Sequence, residues 1–371
     1  MLDITLLLFV GGETHSTVEQ QILQARRAAT LDLLETLLET SCVERAIIAT
    51  DDPAWGQTLK DLPLQLDIDP PDRRFRFGPR LAELAERYQP GAILYAGGGA
   101  APLMSTADWL EVLHILRAKP ELVVTNNLHS SDWVAFRPTQ GVIPLIADQD
   151  RDNGLAWALA SQGGFQVHSL PPGTSSRFDL DTPADLLIAR VHPHVGPHLG
   201  KLVTGLDWPT ESLEGVLGVM AGEGTQLAVI GRSSAAVWAA LESATRCWVR
   251  FFAEERGMVA SGRLAGGRVR SLVADLLEQV GIEGFFAHLK GLADAVLLDS
   301  RVIFGARGIW PSNADRFNAD LMRWSEVEEP FLRKFSRAAA RAGIPVLMGG
   351  QSVVSGGLLA LLDTLKEGGV P

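Results

Sequence analysis

The sequence predicts an α/β fold in which short buried strands alternate with helices. Three observations support this class: continuous apolar runs of strand length, helical periodicity between them, and glycine-rich or polar residues directly after the runs. This alternation favours a mostly parallel sheet with right-handed crossovers. Ligands of such sheets bind at the carboxyl ends of the strands. The residues that follow each strand are therefore the first candidates for function.

Composition is that of a globular protein, and the length favours two domains. Of the 371 residues, 46% are apolar and 21% are charged, and the formal net charge is −11. An acidic surface repels a phosphate backbone, so no nucleic acid partner is expected. No apolar run approaches membrane-spanning length, so no membrane partner is expected either. Cys42 and Cys247 lack zinc-ligand or redox spacing, which predicts reduced thiols and a cytoplasmic protein.

Residues 1–195 are predicted to form the first domain. Its predicted strands are Ile4–Val10, Ala46–Thr50, Ala92–Tyr95 and Leu122–Thr125, and its predicted helices are 17–40, 79–88 and 106–117. Bare glycine amides after a strand make room for a phosphate, and asparagine side chains offer hydrogen bonds to a base or a sugar. The residues predicted to bind a nucleotide are Gly11, Gly12, Gly97, Gly98, Gly99, Asn126 and Asn127. For the two asparagines, an ordinary turn is the alternative.

The segment from Arg177 to Leu186 carries the most specific pattern of the chain. Asp179 and Asp181 are one residue apart, so an extended backbone sends both carboxylates to the same side. Thr182 and Pro183 suit the N-cap and first turn of a following helix. Two carboxylates at a strand end suit a hard cation, so Asp179 and Asp181 are predicted as catalytic residues and as ligands of Mg²⁺. The alternative is a strand-to-helix junction with solvated acids.

Taken together, these motifs resemble the MobA-like NTP transferases, a family that includes 2-phospholactate guanylyltransferase-like proteins. The resemblance rests on the strand before Gly11-Gly12, the strand before Gly97–Gly99, and the motif Phe178–Leu186, and it covers about residues 1–195. It implies a nucleotide-diphospho-sugar-transferase domain of Rossmann-like fold. It also implies a reaction in which an NTP and a small phosphorylated metabolite give a nucleoside diphosphate product and pyrophosphate.

The chain departs from the family pattern in two places. The family has an arginine and a lysine soon after its first glycines, whereas here no arginine or lysine occurs before Arg26. The family also has a metal-binding aspartate after the third strand, where this chain has glycines and Ala100. Phosphoryl transfer depends on such charge neutralisation. The alternatives to an active nucleotidyltransferase are therefore a degenerate protein that binds a nucleotide or sugar phosphate, and a structural scaffold.

Residues 196–212 are predicted to be a linker, and residues 213–371 a second, three-layer α/β domain of unknown function. Predicted strands are Gln226–Ile230, Cys247–Phe252, Ala295–Leu298 and Ile344–Met348. Arginine forks bind phosphate or carboxylate groups, and several arginines follow these strands. The residues predicted to bind an anion are Arg232, Ser233, Arg256, Arg263 and Arg301, with salt bridges inside the domain as the alternative. The sequence leaves a homo-oligomer open.

Overall fold

The computed structural model describes residues 3–40, 42–171 and 173–368. It divides the chain into two compact units, which are named here unit 1 and unit 2. Unit 1 contains Met1–Glu13, Arg26–Arg177 and Gly196–Leu199, and unit 2 contains Thr14–Ala25, Phe178–Val195 and Gly200–Pro371. The domain limits 1–195, 196–212 and 213–371 stay predictions.

Unit 1 is built on a seven-stranded sheet, which confirms the predicted α/β class. Its strands are β1 (Ile4–Phe9), β2 (Arg45–Thr50), β3 (Gln65–Ile68), β4 (Ala92–Gly97), β5 (Leu122–Thr125), β6 (Trp133–Arg137) and β7 (Gln166–Ser169). They lie in the order β3-β2-β1-β4-β6-β5-β7. All neighbouring pairs are parallel except those of β6, which is antiparallel to both β4 and β5.

Helices cover both faces of this sheet. The helices of this part of the chain are α1 (Thr17–Glu39), α2 (Pro53–Thr58), α3 (Phe77–Tyr88), α4 (Thr106–Ala118), α5 (Ile143–Ala147), α6 (Leu155–Ser161) and α7 (Thr174–Arg177). Even-numbered β1 residues such as Leu6 pack with Leu34 and Trp109 on one face, and Leu7 packs with Leu81 and Phe136 on the other. Burial on both faces explains the continuous apolar strands of the sequence.

Three strands were not predicted, and each has a local reason. β3 and β7 are edge strands of four residues, and all four residues of β7 are exposed, so neither carries an apolar run. β6 is buried, but it follows the polar stretch 126–132, which favours a turn. The four strands that were predicted in this half are confirmed at β1, β2, β4 and β5.

Unit 2 contains a second, fully parallel sheet in the order β11-β10-β8-β9, and its four predicted strands are confirmed. The strands are β8 (Gln226–Gly231), β9 (Trp248–Ala253), β10 (Ala295–Asp299) and β11 (Val346–Gly349). The helices that follow α7 are α8 (Pro183–Val191), α9 (Pro197–Thr204), α10 (Glu211–Ala221), α11 (Ala235–Ala244), α12 (Leu272–Leu292), α13 (Ser300–Ala306), α14 (Asn313–Asp320), α15 (Pro330–Ala340) and α16 (Gly356–Lys366). Within the described ranges, no helix is both long and apolar enough to cross a bilayer.

The start of α8 confirms the local prediction for this junction. Thr182 is the N-cap residue and Pro183 occupies the first turn. The Asp185 carboxylate accepts the Thr182 N–H at 2.7 Å and the Thr182 hydroxyl at 2.9 Å. Such a capping box satisfies donors that the first helical turn leaves unpaired.

Candidate functional site

In unit 1, the loop after β1 presents a main-chain amide to a carboxylate. The Gly12 N–H lies 3.1 Å and 3.3 Å from the two carboxylate oxygens of Asp51, at the end of β2. Gly12 has a φ of +128°, which favours glycine. A Cβ on Gly11 would lie 2.3 Å from Asp51 Oδ1, so only glycine permits this approach. Gly11 and Gly12 therefore form a small oxyanion-binding site, in which the Gly12 N–H is the donor and the Asp51 carboxylate supplies the acceptor oxygens.

Gly97 is the last residue of β4, the strand next to β1, and Gly98 and Gly99 follow it. The Gly98 N–H donates to the Phe9 carbonyl at 2.9 Å, so the two glycine loops leave neighbouring strands at one edge of the sheet. Tyr95, two residues earlier, donates its hydroxyl to Asp152 Oδ2 at 3.1 Å. Burial, followed by the Asp152 charge, raises the pKa of Tyr95 well above its ordinary value. This hydroxyl is therefore a permanent hydrogen-bond donor beside the glycine loop.

Asn126 and Asn127 follow β5, whose carboxyl end lies at the same edge of the sheet. Asn126 is buried, donates to Asp132 Oδ2 at 2.5 Å, and accepts the Asp132 N–H at 3.2 Å. Asn127 accepts the His129 N–H at 3.3 Å. These hydrogen bonds link both asparagines to neighbouring residues of the same turn.

An arginine lies near the Gly12 oxyanion-binding site, but it already forms an ion pair with a carboxylate. Arg27 Nη2 is 2.7 Å from Asp52 Oδ2, and its guanidinium lies 4.9 Å from the centre of the Trp55 ring. A hydrogen bond from the Trp55 N–H, assisted by Arg27, lowers the pKa of Asp52. This region therefore contains one main-chain oxyanion-binding site, at Gly12, and one neutralised ion pair, Arg27–Asp52, at adjacent strand ends.

Asp179 and Asp181 belong to unit 2, in the extended segment before α8. Burial alternates along this segment as predicted: Phe178 and Leu180 are buried, Asp179 is half-buried, and Asp181 is exposed. The Asp181 N–H donates to the buried carboxylate of Asp185 at 3.0 Å. Burial, followed by the Asp181 charge, raises the pKa of Asp185 to about 7.

The sheet edge of unit 2 holds two arginines that were predicted to bind an anion, and both are paired with carboxylates. Arg232 Nε is 2.6 Å from Asp299 Oδ2, and its Nη2 is 3.0 Å from Asp299 Oδ1. Arg301 makes two contacts of 2.6 Å with Asp320. Gly231 is required here because a Cβ would lie 2.3 Å from the Cβ of Asp299. These are fork-like pairs of the kind that arginine forms with carboxylate.

The other predicted anion ligands of unit 2 are more dispersed. The Ser233 hydroxyl donates to the Val354 carbonyl. Arg263 Nε lies 2.9 Å from Glu255, and Arg263 Nη2 donates to the Arg256 carbonyl at 3.1 Å. The Arg256 side chain is exposed. The observed contacts are thus mainly the salt bridges of the alternative interpretation.

Unit 2 also contains a polar cavity of about 750 Å³. The N-termini of α1 and α14 both line it, together with basic and acidic side chains of the segment that follows. Its lining residues are His15, Ser16, Thr17, Val18, Glu19, Pro311, Ser312, Asn313, Ala314, Asp315, Arg316, Asn318, Arg323, Glu326 and Glu328. The sequence signals were the Ser-x-x-acid patterns at residues 16–19 and 312–315, which are typical of helix starts. The sequence did not predict this cavity.

Two acidic side chains of the cavity accept hydrogen bonds from backbone N–H groups. Glu19 accepts the His15 N–H at 3.0 Å, and Asp315 accepts the Glu328 N–H at 2.6 Å. Arg316 lies 4.8 Å from the centre of the Trp310 ring. Burial, followed by the charge of Arg301, lowers the pKa of Arg316 to about 10, so Arg316 remains a cation at neutral pH.

Asn318 is the most constrained polar group of the cavity. It is only 6% exposed, and its Oδ1 accepts no hydrogen bond within the described part of the chain. An unpaired buried acceptor costs about 1–3 kcal/mol, so a ligand hydroxyl or N–H that reached it would be favoured.

A third polar cluster lies in unit 1. It consists of Asp32, Glu35 and His198. Each offers one possible ligand atom, and these three atoms lie within 4.8 Å of one another. Asp32 accepts the N–H groups of His198 at 2.9 Å and Leu199 at 3.0 Å, and His198 Nε2 is 2.8 Å from Glu35. This donor set suits a divalent cation, although the same contacts also cap α9 and close an exposed ion pair.

Several solved structures are similar to about half of this chain. A cytidylyltransferase from Leptospira borgpetersenii serovar Hardjo-bovis has 13% identity and a TM-score of 0.41, over 55% of this chain and 93% of that one. Rv0371C from Mycobacterium tuberculosis H37Rv, solved in complex with manganese, has 16% identity and a TM-score of 0.36, over 55% of this chain and 100% of that one. The 4-diphosphocytidyl-2C-methyl-D-erythritol synthase from Anaerococcus prevotii has 12% identity and a TM-score of 0.36, over 50% and 94%.

No family model matches the chain, and no curated protein matches it. The chain is an α/β protein. Membership of the MobA-like family stays a prediction, as do the roles of the individual site residues.

Proposed function

We propose that the protein is nucleotidyltransferase-like, that unit 1 binds an NTP, and that unit 2 binds a small phosphorylated metabolite. The observation that carries the proposal is the Gly12 amide, which already holds an oxyanion, the Asp51 carboxylate, at the end of a central strand. A phosphate oxygen bound at that position would accept the same main-chain hydrogen bond.

The geometry of the two glycine loops supports a phosphate in this place. Gly12 is exposed, and no heavy atom of the described residues lies within 4 Å of where its Cβ would be. Gly98 is tied to the end of β1 by its own N–H. A phosphate that approaches Gly12 displaces the Asp51 carboxylate. Repulsion between two anions must therefore be overcome by a cation.

Asp179 and Asp181 are the residues proposed to hold Mg²⁺. Their carboxylates lie on the side of the segment opposite the buried Phe178 and Leu180, and both are accessible in part or in full. Mg²⁺ is commonly bound by one or two carboxylates, with water and phosphate oxygens completing its shell, so two donors suffice. A divalent ion held by these carboxylates would supply positive charge of the kind that stabilises phosphate oxygens. The Asp32, Glu35 and His198 cluster is a separate candidate for a cation.

The cavity of unit 2 is proposed to bind the phosphorylated metabolite. Arg316 and Arg323 supply cations, and the N-termini of α1 and α14 add positive ends of helix dipoles. Asn318 Oδ1 and the exposed Glu326 accept hydrogen bonds from hydroxyl groups. This mixture suits a phosphate monoester of a hydroxylated molecule.

Gly12→Ala tests the nucleotide part of the proposal. The added methyl group lies where the phosphate must approach, so we expect the Kd for the best of GTP, CTP, ATP and UTP with Mg²⁺ to rise at least about tenfold, the loss of one charge-assisted hydrogen bond. Isothermal titration calorimetry measures this change. Gly141→Ala is the matched control, because Gly141 is also exposed, has a φ of +88°, and has open space at its Cβ position.

Thermal shifts and pyrophosphate release separate the alternatives. A ligand at one hundred times its Kd stabilises the fold by about 2.7 kcal/mol. If no nucleotide raises the Tm, with or without Mg²⁺, the nucleotide-binding proposal is wrong and the scaffold alternative is favoured. If nucleotides bind but no phosphorylated acceptor gives pyrophosphate, the protein is a binding protein and not a transferase.

Arg316→Gln tests the metabolite part. Loss of the charged fork at Arg316 is expected to weaken binding of sugar phosphates and phosphorylated hydroxy acids about tenfold or more. Arg246→Gln is the control, since Arg246 is an exposed arginine of the same unit that does not line the cavity and is not among the predicted anion ligands. Equal affinity in both variants contradicts the assignment of this cavity.

A further inference from the structure

The edge strand β9 differs from the other strands of unit 2. In the order β11-β10-β8-β9, β9 pairs with β8 on one side, and no described strand pairs with it on the other. All four residues of the opposite edge, β11, are buried, whereas Trp248, Phe252 and Ala253 of β9 are exposed. An unpaired edge presents a row of free N–H and C=O groups to a partner strand.

The surface around β9 is unusually apolar. Trp248 is 68% exposed and Phe252 is 40% exposed. On the adjacent helix α11, Trp238 is 42% exposed, and its ring centre lies 5.4 Å from that of Phe251. Soluble proteins usually protect an edge with charged residues or proline, and the β9 sequence WVRFFA contains a single charge.

The apolar surface continues past the end of β9. The Glu254 carboxylate accepts the Leu272 N–H at 3.0 Å, which places the start of α12 beside this strand end. Leu272 is 83% exposed, Leu276 is 36% exposed, and Val259 in the intervening loop is 40% exposed. We name these exposed apolar residues around the strand edge the β9 face; it consists of Trp248 and Phe252 on one side of the strand, Trp238 beside Phe251 on the other, and Val259, Leu272 and Leu276 after the strand end.

The size of the β9 face matches what a dimer needs. Taking roughly 200 Å² for a full side chain, its six residues expose about 600 Å². Two such faces together would bury about 1,200 Å², the lower end of specific interfaces, before any backbone surface is included. A patch of this extent on one copy is at the upper end of what monomers leave exposed.

We propose that the β9 face is an interface between two copies of this chain, in which β9 of one copy pairs with β9 of the other across a two-fold axis. A two-fold axis perpendicular to the sheet makes the two strands antiparallel and joins the two four-stranded sheets into one of eight. Each copy then presents the same face to the other, so the contact is closed and does not propagate. Main-chain hydrogen bonds give the pairing, and the aromatic side chains of both copies cover each other.

The oligomeric state of the full chain tests this proposal. We expect sedimentation velocity and light scattering to show a concentration-dependent dimer. Trp248→Glu and Phe252→Glu should each raise the dimer Kd at least about tenfold, as expected for loss of a central aromatic anchor. Trp157→Glu is the matched control, because Trp157 in unit 1 is 48% exposed and lies outside the β9 face.

Amide hydrogen exchange identifies the contact itself. In the proposed dimer, the outward amides of residues 248–253 become more protected as the protein concentration rises, and Trp248→Glu abolishes that change. A chain that stays monomeric across the whole accessible concentration range, or a dimer that persists unchanged in both Glu variants, overturns the proposal.

Discussion

Arg301→Met is expected to destabilise unit 2 by about 3–5 kcal/mol, because it leaves the Asp320 carboxylate buried without its partner. Arg301 and Asp320 are 4% exposed each, and two contacts of 2.6 Å join them. Burial by itself lowers the pKa of Arg301, but the Asp320 carboxylate raises it above its ordinary value. Burial also raises the pKa of Asp320, since a carboxylate without solvent is costly to ionise. Chemical unfolding followed by circular dichroism measures the loss.

Two further variants separate pair breaking from a general effect of losing arginine. Arg246→Met is the control: Arg246 and Glu223 form a pair at 3.9 Å in which both side chains are 82% exposed, and such pairs contribute about 0–1 kcal/mol. The double variant Arg301→Met with Asp320→Leu removes both charges and is expected to recover most of the lost stability. A double variant as unstable as Arg301→Met would show that the buried charge of Asp320 is not the cause.

Asp185→Asn is expected to stabilise the protein above pH 7 by up to about 4 kcal/mol, at about 1.36 kcal/mol for each unit of pKa difference. Burial, followed by the charge of Asp181, raises the folded-state pKa of Asp185 from 3.8 to about 7. The folded state therefore binds this proton more tightly than the unfolded state does. Wild-type stability contributed by this group is fully present below about pH 4 and is lost as the pH rises through 7.

The comparison across pH is the decisive measurement. The difference between the urea midpoints of the wild type and Asp185→Asn should be smallest near pH 4, grow up to about pH 7 in favour of the variant, and level off above that. The introduced amide still offers an oxygen to the Thr182 N–H and hydroxyl, so the helix cap is retained. Asp150→Asn, at an exposed acid, is the control. A parallel pH profile for wild type and Asp185→Asn would contradict the raised pKa.

Much of the fold was predictable because its signals are local. The buried strands β1, β4 and β8 appear as apolar runs, and the start of α8 appears as Thr-Pro followed by an acid. The strands that escaped prediction have weaker or masked signals: β7 is exposed throughout, and the apolar run of β6 directly follows a polar turn. Edge strands and strands behind irregular loops owe their existence to pairing, which periodicity does not record.

The sequence indicated which types of residue lie at the candidate site, but only some of their contacts. Gly11, Gly12 and the Gly97–Gly99 loop were placed at strand ends, and the structure shows these ends at one edge of the sheet. The partner of the Gly12 amide, Asp51, is not among the residues predicted to bind a nucleotide. The cavity between α1 and α14 joins segments that are far apart in the chain, and the local pattern of neither segment shows that they meet.

The amino-acid sequence by itself determined the α/β class, the strand ends at which glycines and acids collect, and the capped start of α8. These depend on hydrophobic periodicity and on hydrogen bonds between residues a few positions apart. Only the tertiary structure decided which charges are neutralised: Arg232 by Asp299, 67 positions away, and Arg301 by Asp320. The reason is that ion pairing and desolvation depend on distances across packed elements, and packing alone sets those distances.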